Sequence, residues 1–448
     1  MVQYIKIKNF GPIKEEVELN FESIFSEEIS DEIYVSVMPD GARLLKLAYI
    51  YGANASGKTT ILQAFAFIRK LLLRPIQDKS TGLGYEPFLF CENPYLNNSF
   101  FELAFYANFV RHIYTVNFVE AGILSEKMVF FHSAKPTELF SRETDMEKRV
   151  VKIQFGSKVK VTAKEKDRLE SNTLHNNTVL GAFAKTNADI PDLNVLNIWL
   201  SGFLLGMISS NTDIVDDTAG MIATDTNANK WMNKFMNKAD RQISRVNADK
   251  ERSLRSLIFE DNYKHSDIKP SNILPQGSYR MATGTEAGKF YGEPVEFKRK
   301  VEFTHQTGDG SDYTLPLKVE SSGTQRYFSL GGPLYKLVHG NHVLCIDELE
   351  NSLHPDLMKH FLQTFLVNAD QSQMLITTHN IALMEEIDFI RKDALWFSEK
   401  KEDGSVDLYS AADFDSSTLR KGASLINAYR AGRLGAKPNL GSPYIGQE

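Results

Sequence analysis

Apolar and charged residues alternate from Val2 to Lys8 (VQYIKIK), the period of a half-buried strand, and Asn9-Phe10-Gly11-Pro12-Ile13 then breaks the pattern as a turn. Val17, Leu19 and Phe21 resume the alternation. From Leu44 to Tyr51 the chain is mostly apolar, which predicts a buried central strand; a glycine-containing loop leads from it into a helix over about Lys58 to Leu73. Residues 100–155 carry several alternating stretches (FELAFYANFV, IYTVNFVE, VVKIQF), the pattern of an antiparallel sheet. Between 158 and 290 the period changes. Leu169, Leu174, Leu180 and Phe183, and then Met232, Phe235, Met236, Ile243, Val246, Leu254, Leu257 and Ile258, recur at roughly helical spacing, so we read a helical insertion. No strict heptad persists, which argues against a coiled coil. Strand signals return from 296 and alternate with helices to about 398. The layout is thus a first α/β part over 1–157, the insertion over 158–290, a second α/β part over 291–400, and a closing strand and tail over 401–448.

Composition changes this picture little. With 448 residues, 42% hydrophobic and 24% charged, the chain is an ordinary globular one with a large core. A formal net charge of −6 gives no global attraction to nucleic acid or anionic membrane, so any such contact must come from a local patch. Cys91 and Cys345, far apart, read as two free thiols. The N-terminus lacks the apolar core of a signal peptide, and the stretch Ile198 to Met207 is too short to span a bilayer. We expect a cytoplasmic protein with no membrane partner.

The strongest chemical signal is Gly52-Ala53-Asn54-Ala55-Ser56-Gly57-Lys58-Thr59, followed by Thr60, between a buried strand and a helix. Gly52 and Gly57 let successive N–H groups point inward at phosphate oxygens, Lys58 reaches the β and γ phosphates, and the Thr59 hydroxyl suits Mg2+. This segment predicts a nucleoside triphosphate site. Val343-Leu344-Cys345-Ile346-Asp347-Glu348 follows as an apolar strand ending in two acids. Asp347 fits a Mg2+ ligand, and Glu348 a base that orients and deprotonates the attacking water. Met374 to His379 (MLITTH) is another apolar strand with polar residues at its carboxyl end, where His379 faces a nucleotide crevice and contacts the γ phosphate. Before the acidic strand, Glu320-Ser321-Ser322-Gly323-Thr324-Gln325-Arg326 opens an amphipathic helix with Ser322 as its N-cap, presenting free N–H groups to an anion.

The order of these four segments resembles the ABC ATPase head of the SMC and RecF class. The opening IKIKNFGPI and the stretch ELENSLHP at 348–355 are similar to it too. Within that class the chain most resembles the OLD/RloA-like ATPases of bacterial phage-defence systems. The resemblance covers about 1–155 and 295–400 and implies an α/β P-loop NTPase fold of the ABC head type, a mixed-sheet lobe plus an antiparallel β lobe. It implies that Ser322, Gly323, Thr324 and Gln325 form the signature segment touching the γ phosphate held by the opposite protomer. Thr324 and Ser321 stand where that signature usually has a second glycine and a leading leucine. Ser352 to Pro355 becomes the loop crossing the dimer seam.

The expected activity is ATP hydrolysis with Mg2+, with Lys58, Glu348 and His379 as catalytic groups. The expected assembly is a homodimer through ATP, or a higher oligomer. Proteins resembling the OLD nucleases carry a Toprim domain after the ATPase head; too little chain follows His379 for one, so an effector (a nuclease or toxin) is expected in trans. The alternative is a RecF-like repair ATPase binding DNA directly. Its candidate surface is the basic run Lys230, Lys234, Lys238, Arg241, Arg245, Lys250, Arg252 and Arg255, which otherwise reads as a solvated face. Asn237-Lys238-Ala239-Asp240 matches a guanine-specifying pattern, but its helical setting marks it as chance.

Overall fold

The computed structural model describes residues 1–24, 30–210, 212–250, 299–385, 390–414 and 424–438. Its first unit, Met1–Thr212 with Lys336–Glu448, is built on two large sheets, beside the two-stranded pair Val35–Val37 and Arg43–Leu45. A seven-stranded antiparallel sheet has the order Val150–Phe155, Thr137–Asp145, Gly122–Phe131, Val110–Val119, Ser99–Ala107, Val2–Lys8, Val17–Asn20. Its strands alternate buried and part-exposed residues, as a sheet with one covered face must. A five-stranded sheet has the order Val343–Ile346, Gln373–Thr377, Leu47–Tyr51, Leu395–Lys400, Val406–Ser410. Its first four strands are parallel and the last is antiparallel. The three apolar runs VLCI, QMLIT and LAYIY are buried throughout, the mark of parallel strands covered on both faces.

Two buried polar residues tie these layers together. Gln373 leaves its own strand to donate to Val2 O at 2.8 Å and Leu45 O at 3.0 Å, and accepts the Val2 N–H. Lys46 donates to Leu366 O and Ala369 O, both at 2.8 Å, neutralising the C-terminal carbonyls of the helix Pro355–Asn368. The helix Lys58–Leu73 packs on the antiparallel sheet through Phe67, whose ring lies 5.4 to 5.9 Å from those of Phe10, Tyr85, Phe101 and Phe118. Such ring pairs add roughly 0.5–1.5 kcal/mol each beyond their buried area, so the loop before this helix rests on a stiff support.

Under the same sheet Glu126 faces Arg142 across paired strands, both almost fully buried. Glu126 accepts from the Tyr114 hydroxyl at 3.0 Å and the Val179 N–H at 2.9 Å. Burial pushes its carboxyl up to about 7, against the pull of the Arg142 guanidinium.

The second unit, Asp213–Tyr335, holds the helices Val215–Thr224 and Thr226–Ala239 and an antiparallel sheet of order Ile243–Lys250, Arg299–Gln306, Asp312–Pro316. The helix Ser322–His339 begins in it. These facts correct the insertion read at 158–290. The helices Ala163–Asn172, Val179–Phe183 and Pro191–Phe203 belong to the first unit, and Ile243–Lys250 is a strand. An irregularity between Ile243 and Arg245 shifts the strand's register, so Ile243 and Val246 both point inward. One extra residue turns a spacing of two into three, which mimics a helix. Leu254, Leu257 and Ile258 lie outside the described residues. Among the described residues no helix is long and apolar enough to cross a membrane.

Candidate functional site

The parallel strands of the first unit end at one edge, and the chemistry-bearing residues sit there. Leu47–Tyr51 runs into the loop 52–57, which turns straight into the helix Lys58–Leu73. The loop needs its glycines. A Cβ on Gly52 would collide with Ser398 O and Ser56 Oγ, while Gly57 has φ of +89° and a Cβ there would lie 2.9 Å from Val406 Cγ2. Gly57 is also the helix N-cap and offers no side-chain acceptor, so no side chain competes with an anion for the Lys58 and Thr59 N–H groups, while the Thr60 N–H already bonds Gly57 O at 3.0 Å. Ala55 is left-handed at φ 59°, and Ala55 and Asn54 stand exposed at the mouth. Ser398 Oγ donates to Ser56 O and anchors the loop from the neighbouring strand.

Lys58 is only 6% exposed, and its ammonium folds back onto Gly52 O at 2.9 Å and Ala53 O at 2.8 Å. Burial lowers its pKa, and Asp347, Glu348 and Glu350 oppose that shift. The neighbouring Thr59 hydroxyl donates to both carboxylate oxygens of Asp347, at 3.1 and 3.0 Å. Asp347 also accepts from Thr377 Oγ1 at 2.6 Å. A hydroxyl and a carboxylate held together fit a small hard cation that keeps its waters and shares phosphate oxygens. The chemistry of this donor set therefore suits Mg2+ with a triphosphate. Among the described residues no cluster of three or more His, Cys, Asp or Glu forms a closed metal cage.

Glu348 follows Asp347 in a left-handed conformation, φ 50°, with its N–H bonded to Thr377 Oγ1 at 2.8 Å. Its half-buried carboxylate is thus set on a pinned backbone beside the cation ligand. His379 lies two residues beyond the strand Gln373–Thr377 and keeps solvent contact. Partial burial, and then the Lys58 cation, hold its imidazolium pKa below the usual histidine range. Lys58, Thr59, Asp347, Glu348 and His379 are accordingly brought to one edge of one sheet.

The segment 320–326 lies in the second unit, at the start of the helix Ser322–His339. Ser321, not Ser322, is the cap: its Oγ accepts the Thr324 N–H at 3.1 Å. Two consecutive serines make the cap ambiguous in sequence, and the structure chooses the first. Ser322 stands exposed on the helix tip, with Gly323, Thr324 and Gln325 partly exposed behind it. The loop after the acidic strand contains left-handed Ser352, φ 62°, and His354, whose Nδ1 accepts the Asp356 N–H.

Three site residues carry no signal strong enough to single them out in sequence. Thr377 and Ser398 are ordinary hydroxyls at strand ends, and Glu350 lies inside the ELENSLHP stretch without a role of its own. Glu350 Oε1 accepts the His379 N–H at 2.6 Å.

A family model described as "AAA domain, putative AbiEii toxin, Type IV TA system" matches residues 47–385. Among solved structures, "SMC head domain from Thermotoga maritima" matches at 11% identity and a TM-score of 0.39, covering 91% of this chain and 98% of that one. "Crystal structure of the SmcHead bound to the C-winged helix domain of ScpA" matches at 10% identity and a TM-score of 0.42, covering 91% and 97%. No curated protein matches the chain by sequence. The family match and the loop–helix geometry place the chain in the α/β P-loop ATPase class read from its motifs.

Proposed function

The chain belongs to the AAA-domain family whose description reads putative AbiEii toxin, Type IV TA system, and on that premise we propose that it binds and hydrolyses ATP with Mg2+ as a dimeric, nucleotide-dependent switch. One observation carries the reading: the Thr59 hydroxyl, one residue after the P-loop lysine, is bonded to both oxygens of an acid 288 positions away. A purely structural role for either residue gives no reason for that pairing beside an uncapped helix N-terminus.

The open N–H groups of the loop and first helical turn hold the phosphates, and Lys58 moves its donors from Gly52 O and Ala53 O onto them. Thr59 and Asp347 would hold the cation, which would supply charge neutralisation on the phosphates. Glu348 orients the attacking water and takes its proton, and His379 donates to the terminal phosphate. One protomer leaves that phosphate open to water. The exposed tip at Ser322 to Gln325 from a second copy closes over it, so ATP bridges two chains and hydrolysis releases the bridge.

We take the output to be control of an effector, a nuclease or toxin on another polypeptide, in an RloA-like bacterial anti-phage system. The toxin–antitoxin wording of the family description supports that setting. The dimer is tested at Ser322, which stands exposed at the tip of its helix. Ser322→Arg is expected to leave ATP affinity within about twofold while abolishing ATP-dependent dimers in sedimentation. Dimers of normal stability in that variant remove the closing tip from the mechanism.

A second reading, direct action on DNA, has one observation in its favour. Lys230, Lys234 and Lys238 lie four residues apart along the helix Thr226–Ala239, all exposed, on a helix without a single acid. Four residues rise about 6 Å, so the row tracks a phosphate backbone. On this reading, affinity for a DNA duplex falls steeply with salt. Changing the three lysines to glutamine then lowers the log–log salt slope by about 2–3. A natural chain with no salt-dependent DNA affinity eliminates it.

A further inference from the structure

We infer that Glu350 is a positioning residue for His379, holding the turn after the strand Gln373–Thr377 so that the imidazole meets the terminal phosphate. The inference rests on the ATPase reading and assigns a residue that the motif pattern leaves without a role.

Four hydrogen bonds lace the loop after Ile346 to the end of the neighbouring strand. Three of them involve Thr377: its hydroxyl donates to Asp347 at 2.6 Å and accepts from Glu348 N at 2.8 Å, and its carbonyl accepts from Leu349 N at 3.2 Å. These fix the strand ends but stop short of the histidine. Only the fourth, from the His379 N–H to Glu350 Oε1 at 2.6 Å, reaches past Thr378 to the residue that carries the imidazole. Glu350 is itself held, because Asn351 N bonds Glu348 O and Leu353 N bonds Glu350 O, both at 2.9 Å. The carboxylate is therefore a rigid strut between the acid loop and the histidine.

Its other oxygen gives the second, independent observation. Glu350 Oε2 is buried with no hydrogen-bond partner among the described residues. Leaving such an acceptor unmade costs roughly 1–3 kcal/mol, which a side chain present for loop stability alone would not carry. A strut that places His379 belongs to the phosphate-binding edge.

The test uses Glu350→Ala, Glu350→Gln, His379→Ala and the double variant Glu350→Ala/His379→Ala in the full chain. Loss of the strut is expected to lower kcat by about 10²-fold with KM for ATP within twofold, because the phosphate-binding loop is untouched. Glu350→Gln keeps an oxygen that accepts the His379 N–H and recovers most of the rate. In the His379→Ala background, Glu350→Ala adds no further loss, since it acts through that side chain. Multiplied losses in the double variant, or a glutamine as damaging as alanine, overturn the inference. The backbone amide resonance of His379 reads the strut without turnover: it shifts upfield in Glu350→Ala and holds in Glu350→Gln. An unmoved resonance overturns the strut even where the natural chain hydrolyses ATP. A shifted one in a chain without turnover keeps the strut and removes the ATPase reading instead.

Discussion

Lys58→Ala binds ATP at least about 100-fold more weakly than the natural chain, a loss of roughly 2.7 kcal/mol. The size follows from where the ammonium sits. It is largely buried and spends its hydrogen bonds on Gly52 O and Ala53 O, the carbonyls that form the floor of the loop. A triphosphate offers it anionic acceptors instead, and a charge-assisted bond in a desolvated site contributes about 1.5–3 kcal/mol. The alanine loses that exchange entirely while the backbone N–H groups remain, so binding weakens without vanishing. The fold is expected to survive, because position 58 opens a helix where alanine is favourable and because the Phe67 ring cluster holds that helix from its other face. Calorimetry with ATP and Mg2+ reads the constant, and a thermal melt controls for folding. Affinity within threefold of the natural chain means the loop does not hold phosphate.

The local parts of this architecture are legible because they are written in neighbouring residues. The alternation at Val2–Lys8, the apolar run into Gly52 and the helix from Lys58 to Leu73 all appear where the periodicity predicts them. The second unit is not legible in the same way. Its strand Ile243–Lys250 carries an irregularity that moves the inward positions from every second residue to three apart. Hydrophobic spacing cannot distinguish that from a turn of helix, and the neighbouring helix Thr226–Ala239 reinforces the wrong period.

The site divides along the same line. Gly52, Gly57, Lys58 and Thr59 are recognisable from spacing alone, because one loop supplies all their geometry. Asp347 and His379 are recognisable only as strand-end residues in a fixed order. Their meeting with Thr59 and Lys58 is a property of the parallel sheet, which sets Gln373–Thr377 between the other two strands. Glu350 escapes notice because its significance lies in one hydrogen bond to a backbone N–H 29 positions away. No residue pattern records a contact whose donor is the main chain.

Glu348→Gln keeps ATP, hydrolyses it about 10²- to 10⁴-fold more slowly, and accumulates as an ATP-bound dimer. The substitution exchanges one oxygen for nitrogen on a side chain whose backbone is pinned, with its N–H bonded to Thr377 Oγ1 at 2.8 Å and φ fixed at 50°. Asp347, Thr59 and Lys58 form their contacts without it, so phosphate and cation binding persist. What the amide cannot do is take a proton from the attacking water, and each tenfold loss of rate is about 1.4 kcal/mol of barrier. If ATP is the bridge between two chains, slowing its hydrolysis lengthens the life of the dimer by the same factor. Single-turnover hydrolysis and size measurement on the same sample separate the two claims. Unchanged turnover removes Glu348 as the base. Slow turnover by a chain that stays monomeric with ATP bound keeps the base but leaves the terminal phosphate open to one subunit alone, and the second copy then has no part in the reaction.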